Sequence, residues 1–295
     1  MAKKHIVRHI VLVGTSIIRN TANTVKERDK NPVAKSILER ISREYDYPID
    51  SLVEAITSCA RSPPDQDLEC ARHATLSSPV FHTLLKTLEY DPCRISAEIN
   101  SMQPWLPLCA SHEPPSRIDF IDVIHTDTGN GFLAASVLTH FLNEVHGGAR
   151  MIRVEGFGRP GEMMRGILNL IDAIKEIAGE RDSIVLLNVT GGFKPESGAA
   201  LLTGLVHHRI LAAYYIHEAF RDTVVLPLVP ASKDDLEGLI EPEGMVRVRE
   251  ESPLADLAYA IEPTGQAKAN PPAISVELAN IAVSLSQMLG AADTG

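Results

Sequence analysis

Short apolar runs alternate with amphipathic stretches along most of this chain. Six runs have the length of a buried strand, at 6–13, 118–124, 150–154, 183–189, 212–216 and 223–228. Between two of them, the stretch 162–178 carries apolar residues three and four positions apart, the spacing of a helix with one buried face. Buried strands that alternate with such helices predict an α/β protein with a mostly parallel sheet and flanking helices.

Residues 29–117 interrupt this alternation. The stretches 33–45 and 48–60 have helical spacing, and several prolines follow them. We therefore predict a helical insertion after the first strand, ended by a proline-rich loop. We predict that the chain divides into a main domain over 1–230, which includes the insertion, and a small C-terminal extension over 231–295. The extension is partly helical and ends in a helix over 274–289.

The charge is unevenly distributed along the chain. Among 295 residues, Lys and Arg number 28 and Asp and Glu number 38, a net charge of −10. Residues 226–295 hold eleven acidic and four basic side chains, which leaves a net charge of only −3 on the rest of the chain. This balance argues against non-specific nucleic-acid binding and against a DNA-binding winged helix in the extension, but it permits a locally positive cleft.

The sequence also allows predictions about membrane contact, cellular location and the state of the cysteines. No apolar run reaches the roughly 18 residues that span a bilayer, and the N-terminus lacks the apolar region of a signal peptide. We therefore expect no membrane contact and a cytoplasmic location. Cys59, Cys70, Cys93 and Cys109 lack the spacing of a zinc ribbon or a redox pair, so we expect no metal, no cofactor and reduced thiols.

Three of the predicted strands end in small polar loops. In open α/β sheets, ligands bind beyond the carboxyl ends of strands, where helix N-termini offer free amides that suit phosphates. The alternative is that Gly, Thr and Ser only turn the chain and cap helices. The candidate ligand-binding residues are Gly14, Thr15, Ser16 and Asn20 after the first strand, Thr126, Asp127, Thr128 and Gly129 after the second, and Asn188, Thr190, Gly191, Gly192, Phe193 and Lys194 after the fourth.

The third of these loops carries the most specific signal. Gly191 and Gly192 let a ligand approach the backbone closely, and Lys194 follows as a natural phosphate contact. The pattern G-x-x-x-x-G-K-[ST] is absent, and G-x-G-x-x-G does not follow the first strand. A nucleotide-cofactor enzyme, a further possible class, is therefore disfavoured.

The segment NVTGGFKPE, preceded by SIVLL and followed by SGAALLTGLVHH and AAYYIHEAF, resembles the CARF domain, the CRISPR-associated Rossmann fold. HIVLVGTSIIRN resembles that family's opening strand and loop, and HTDTGNG its middle loop, so the resemblance spans roughly residues 5–230. It implies a Rossmann-like fold and a homodimer. It also implies that the dimer binds a cyclic oligoadenylate, most commonly of four adenylates and alternatively of six, in type III CRISPR antiviral defence.

Some members of that family cleave the ring, which makes Ser16 and Lys194 the candidate catalytic residues. Lys194 would stabilise charge on the phosphate, and Ser16 would position the attacking ribose 2′-hydroxyl. Thr15, Ser16, Asn20, Thr126 and Thr190 are candidate contacts to ribose hydroxyls. Two alternatives remain open: a sensor module that binds the ring without cutting it, and a Ser16 that only caps a helix.

Overall fold

Six strands form one sheet in the computed structural model of the chain. They are β1 (Ile6–Leu12), β2 (Phe120–His125), β3 (Ala149–Arg153), β4 (Ser183–Asn188), β5 (Ile210–Ile216) and β6 (Thr223–Pro227). Their order in the sheet is β3-β2-β1-β4-β5-β6, and only β6 runs antiparallel to its neighbour. This is the strand order of a Rossmann-like fold, so the predicted fold class is confirmed.

Helices connect and cover these strands. They are α1 (Ser16–Lys26), α2 (Pro32–Tyr45), α3 (Ile49–Arg61), α4 (Asp67–Arg72), α5 (Pro79–Tyr90), α6 (Pro92–Ile95), α7 (Ala97–Ser101), α8 (Gly129–Val145), α9 (Met163–Gly179), α10 (Lys194–Val206), α11 (Pro253–Ile261) and α12 (Val276–Ala292). The structure describes residues 5–61, 67–108, 116–191, 194–217, 222–240, 244–261 and 272–292.

The central strand β1 is buried on both faces, as its continuous apolar sequence requires. Val7 and Val11 point into the core under α1, α5 and α8, whereas Ile10 and Leu12 point into a second core under α9 and α10. Because helices cover both faces of the sheet, the loops that follow the strands lie at its carboxyl edge. This edge is therefore where the protein can present a ligand site.

The insertion consists of the six helices α2 to α7, placed between α1 and β2. Three prolines begin helices: Pro32, Pro79 and Pro92 each occupy the first turn, behind Asn31, Ser78 and Asp91 as N-caps. Proline is suited to that position because the first helical amide needs no partner and its φ is already helical.

The expectation of reduced cysteines is wrong in this structure. Cys59 of α3 and Cys70 of α4 form a disulfide with their Cα atoms 5.5 Å apart, and Cys93 is also disulfide-bonded. The two helices lie next to each other, which brings together two cysteines that are eleven residues apart in the sequence. The spacing patterns of metal sites and redox pairs do not predict such a contact.

The C-terminal extension contains strands that the sequence did not reveal. β7 (Leu236–Ile240), β8 (Met245–Val248) and β9 (Ala273–Ser275) form a separate antiparallel sheet. These strands are only three to five residues long, too short for a clear period-two pattern. Helix α11 packs against the main sheet at β4 and β5, so the extension shares a core with the main domain.

An aromatic cluster ties the insertion and the extension to the sheet. The ring of Trp105 lies 4.7 Å from His9 and 4.5 Å from Tyr214, measured between ring centroids, and its Nε1 donates to the carbonyl of Ala260 in α11. His9 Nδ1 and Tyr214 Oη are 2.7 Å apart. Trp105 is thus a buried core residue.

This cluster predicts a pH dependence of stability. Burial lowers the pKa of His9 to about 3, with a further contribution from His146, whereas an unfolded histidine titrates near 6.5. The unfolded chain therefore gains a proton first, and the free energy of unfolding falls by about 1.4 kcal/mol per pH unit as the pH drops from 6.5 towards 3. We expect His9→Gln to remove this slope. Between pH 7 and pH 5, urea unfolding should show the variant gaining about 2 kcal/mol relative to the wild type; parallel pH profiles would contradict a neutral His9.

Candidate functional site

The strand order places the three predicted loops side by side. β1 lies between β2 and β4, so the loops that follow these three strands meet at one carboxyl edge of the sheet. The chain reverses its direction of strand addition between β1 and β4, which is the point where open α/β sheets form their ligand crevice. The topology therefore brings the candidate residues that the structure describes in these three loops to one edge.

The crevice between β1 and β4 is closed tightly at its base. A Cβ added to Gly191 would lie 2.2 Å from the carbonyl oxygen of Leu12, 2.5 Å from the amide of Gly14 and 2.6 Å from the Glu98 carboxylate. Only glycine fits such a close approach of two backbones. Gly191 is thus the residue that lets the third loop contact the first.

Glu98, from α7 of the insertion, fills the space next to this contact. Its side chain is fully buried, and its Oε1 accepts a 2.8 Å hydrogen bond from the Gly14 amide. Its Oε2 accepts from the hydroxyls of Ser16 at 2.7 Å and Ser96 at 2.9 Å. The insertion therefore supplies the carboxylate that holds the β1 loop.

Ser16 begins helix α1 but does not cap it. The N-cap residue is Thr15, which makes no side-chain capping bond, whereas the Ser16 hydroxyl donates to Glu98 and accepts from the Ala97 amide at 3.2 Å. The alternative in which Ser16 acts only as a helix cap is therefore wrong. Ser16 instead connects the β1 loop to the insertion.

Asn20 and Asn188, both candidate ligand contacts, bind inside the protein. The Asn20 amide group donates to the carbonyls of Arg94 and Ile95. Asn188 is fully buried; its Nδ2 donates to the Glu98 carbonyl, and its Oδ1 accepts from the Ser101 hydroxyl and the Thr190 amide. These two side chains fasten the insertion to the loops and shape the site indirectly.

Thr190 stabilises the third loop from within, because its Oγ1 accepts a 3.3 Å hydrogen bond from the Ile216 amide of β5. Gly192 and Phe193 lie outside the described residues. Lys194 is the first residue of α10, which places it at the start of a helix directly beyond Gly191. Its backbone therefore lies at the carboxyl edge, as the sequence predicts.

The middle loop acts mainly as a helix cap. Thr128 is the N-cap of α8, with its Oγ1 accepting from the Gly131 amide at 3.3 Å and lying 2.6 Å from Thr126 Oγ1. The Gly129 amide donates to the carboxylate of Asp67 in α4. The N-terminus of α8 is therefore already covered by an acidic side chain of the insertion.

Asp127 holds two arginines at the same edge. Arg153 donates to its Oδ1, and Arg159 and the Gly156 amide donate to its Oδ2 at 2.9 and 3.1 Å. Burial alone would raise the pKa of Asp127, but the hydrogen bonds from Arg159, the Gly156 amide and Arg153 outweigh it and lower the pKa below its usual range. Asp127 is thus a positioning group for two cations rather than a direct contact for an anion.

Both guanidinium groups remain open to solvent. The side chains of Arg153 and Arg159 are 62% and 42% exposed, whereas Asp127 is 7% exposed. Gly156 and Gly158 have φ angles of +75° and +79°, which lets the loop between β3 and α9 turn back towards Thr126 and Asp127. The three side chains Asp127, Arg153 and Arg159 sum to a net charge of +1, and the carboxylates of Asp67 and Glu162 also interact with Arg159.

Sequence reasoning missed Glu98, Asp67 and Arg153. Glu98 and Ser16 lie 82 residues apart, and Asp67 and Gly129 lie 62 apart, so no local motif joins them. Arg153 ends a strand, where it looks like an ordinary surface residue. Arg159 did have a signal, since it sits in the glycine-rich segment GFGRPG directly after a predicted strand.

Among the described residues, no three His, Cys, Asp or Glu side chains come together in a way that could hold a metal ion. No helix in the described part of the chain is both long and apolar enough to cross a membrane.

A comparison with protein families adds one match that overlaps the site. Residues 93–229 match the family described as CRISPR-associated protein (Cas_APE2256). The matched segment begins in α6 and ends just after β6. It therefore includes Glu98, Asp127, Arg153, Arg159 and the loop that precedes Lys194, and it supports a CRISPR association for this chain.

Proposed function

We propose that this protein binds a cyclic oligoadenylate, most commonly one of four adenylates, at a homodimer interface and cleaves it in type III CRISPR antiviral defence. The observation that carries the proposal is the convergence of three loops at the carboxyl edge of the sheet, with an exposed arginine pair beside the loop that follows β2. The match to a CRISPR-associated family supports the same biological context.

The cations at this edge suit a ring of phosphates. Arg153 and Arg159 each use only part of their five N–H donors on Asp127, so the remaining donors face solvent. Arginine is well matched to phosphate oxygens because its planar fork donates two parallel hydrogen bonds. The carboxylate beneath the pair keeps both forks fixed before the ligand arrives.

An apolar surface on α9 and α10 supports a second copy of the chain as partner. The two helices pack against each other on one face of the sheet, and they expose Met164, Leu168, Leu202 and Val206 by 59–80%. Exposed apolar side chains clustered on adjacent helices favour association. A two-fold dimer would supply each loop twice, as a symmetric ring requires.

Cleavage would proceed within the ligand. The 2′-oxygen of one ribose attacks its own 3′-phosphorus as the hydroxyl proton is removed, and the bond to the next 5′-oxygen breaks. The leaving oxygen takes up a proton, so the product is linear, with a 2′,3′-cyclic phosphate and a 5′-hydroxyl. Lys194 and the α10 N-terminus would stabilise the developing phosphate charge, and Ser16 would hold the 2′-hydroxyl.

Chromatography of the ligand tests this proposal directly. Purified protein is incubated with cyclic tetra-adenylate in EDTA, and the nucleotides are separated at successive times. We expect conversion to linear products that carry a 2′,3′-cyclic phosphate. Binding without any conversion would refute the cleavage step and leave the sensor function.

One observation favours that sensor alternative. A buried chain of contacts leads from the site to the C-terminal extension: Asn188 of β4 pairs with Tyr214 of β5, the Tyr214 hydroxyl contacts His9, and Trp105 packs on both rings and donates to α11. A ligand that shifts the β4 loop could therefore alter the extension. In that case the ring would persist after binding.

The arginine pair predicts how affinity depends on salt. We expect Arg153→Ala and Arg159→Ala each to weaken ring binding about tenfold, because each removes a charge-assisted hydrogen bond to phosphate. The double variant should also show a flatter dependence of affinity on salt concentration. Arg165→Ala is the matched control, since Arg165 is exposed but already paired with Glu155 and Glu162. Equal losses in all three single variants would contradict a specific role for the pair.

The apolar surface predicts the oligomeric state. We expect the double variant Leu168→Glu and Leu202→Glu to be monomeric in analytical ultracentrifugation, because four carboxylates would be buried against apolar partners in each dimer. Ring affinity should fall with the dimer. Met288→Glu, at a residue 70% exposed on α12, should leave the dimer intact. A double variant that still sediments as a dimer would refute α9 and α10 as the interface.

A further inference from the structure

The helical insertion reaches the β1 loop through the carboxylate of Glu98, and the direction of every hydrogen bond there is fixed. The Gly14 amide can only donate to Oε1, and the hydroxyls of Ser16 and Ser96 donate to Oε2 because a carboxylate only accepts. Ser96 in turn accepts from the Ile99 amide at 3.2 Å. The Glu98 carboxylate therefore accepts hydrogen bonds from donors on three sides.

This arrangement determines what Ser16 can still bind. A hydroxyl has one proton to donate and two lone pairs to accept with. The Ser16 proton goes to Glu98, and one lone pair accepts from the Ala97 amide. One lone pair is left, so any ligand group that meets Ser16 must be a donor.

We propose that Glu98 is a positioning residue that makes Ser16 an obligate hydrogen-bond acceptor, so that the site selects a ligand hydroxyl at this point. The inference rests on the proposed function and adds the insertion to the ligand site. A ribose 2′-hydroxyl can donate its proton to Ser16. A ring with fluorine at the 2′-position places an acceptor against the remaining lone pair and gains no hydrogen bond.

The same geometry bears on cleavage. When the 2′-hydroxyl donates to Ser16, its own lone pairs point away from Ser16 and are free to face the adjacent phosphorus. Glu98 would thereby orient the nucleophile without touching it. This differs from a purely structural carboxylate, which would hold the loop without affecting which 2′-substituent the protein prefers.

Two rings and one isosteric variant test the inference. The dissociation constants of cyclic tetra-adenylate and its 2′-fluoro counterpart are measured by rapid mixing, before turnover. We expect the wild type to prefer the ribose ring by about three- to tenfold, the worth of one hydrogen bond. In Glu98→Gln, the amide group must face Ser16 so that the side-chain oxygen can still accept from Gly14. The Ser16 hydroxyl can then donate its proton to the ligand instead of to residue 98. We therefore expect the variant to bind the two rings with about equal affinity.

Two further variants complete the design. Asp67→Asn alters the other insertion carboxylate that binds a loop amide, that of Gly129, and should keep the wild-type preference whatever its effect on affinity. Ser16→Ala removes the acceptor itself and should abolish the preference even if Glu98→Gln fails to fold. Melting temperatures are recorded for every variant.

The outcomes separate the inference from the function on which it rests. A wild type that binds neither ring refutes the proposed function and the inference with it. A wild type that binds both rings, with an unchanged preference in Glu98→Gln or Ser16→Ala, overturns the inference and leaves the function standing.

Discussion

Replacing Lys194 by alanine is expected to lower the rate of ring cleavage by about 100- to 1000-fold, the usual effect of removing one group that stabilises transition-state charge. The residue begins α10 directly beyond the Gly191 contact, so its backbone lies where the helix N-terminus and the crevice meet. Affinity should fall less than the rate, because charge on the phosphate increases in the transition state. Thermal stability should change little.

Single-turnover rates and dissociation constants on the same preparation check this prediction. Lys194→Arg keeps a cation at the position and should recover part of the rate. Lys175→Ala removes an exposed lysine near the C-terminal end of α9. This variant should keep the wild-type cleavage rate and dissociation constant. Unchanged affinity and rate in Lys194→Ala would remove the third loop from the phosphate site.

The sheet could be predicted from the sequence because the information is local. All six strands of the main sheet coincide with apolar runs, and α9 follows the amphipathic stretch within one residue at either end. Strand and helix periods are set by neighbours a few positions apart, so they can be read along the chain. The convergence of the three loops then follows from parallel strands having their carboxyl ends at one edge.

The interior of the site could not be predicted in this way, because its key contacts join distant segments. Glu98 meets Ser16 across 82 residues, and Arg159 meets Asp127 across 32. The sequence proposed Asn188 and Asp127 as direct ligand contacts, but the polar atoms of both side chains bind other parts of the protein. Residue type alone does not reveal which partner has already used a donor or acceptor.

The prediction for the cysteines failed, and the short strands of the C-terminal extension were missed, for a related reason. A disulfide depends on where two helices lie relative to each other, which spacing in the sequence does not encode. The strands β7 to β9 are stabilised by pairing with one another and by the contacts of β9 with α11 and of β8 and β9 with α12, not by strong periodicity of their own. Tertiary context decided both outcomes.

Gly191→Ala is expected to destabilise the folded protein by about 3 kcal/mol or more, because the added methyl would overlap two backbone atoms. Its Cβ would lie 2.2 Å from the Leu12 carbonyl and 2.5 Å from the Gly14 amide, and neither atom can move without shifting the end of β1. The third contact, 2.6 Å to Glu98, would also push the carboxylate away from Ser16. Stability and ligand binding should therefore fall together.

Gly179→Ala is the matched control for this change, because a Cβ at Gly179 meets nothing within 4 Å. It should leave stability unchanged or raise it by about 0.5–1 kcal/mol, since alanine loses less backbone entropy in a helix. Melting temperature and ring affinity are measured for both variants. A Gly191→Ala protein that melts and binds like the wild type would show that the β1 and β4 loops do not meet as closely as this crevice requires, and the site would then have to be built from the arginine pair alone.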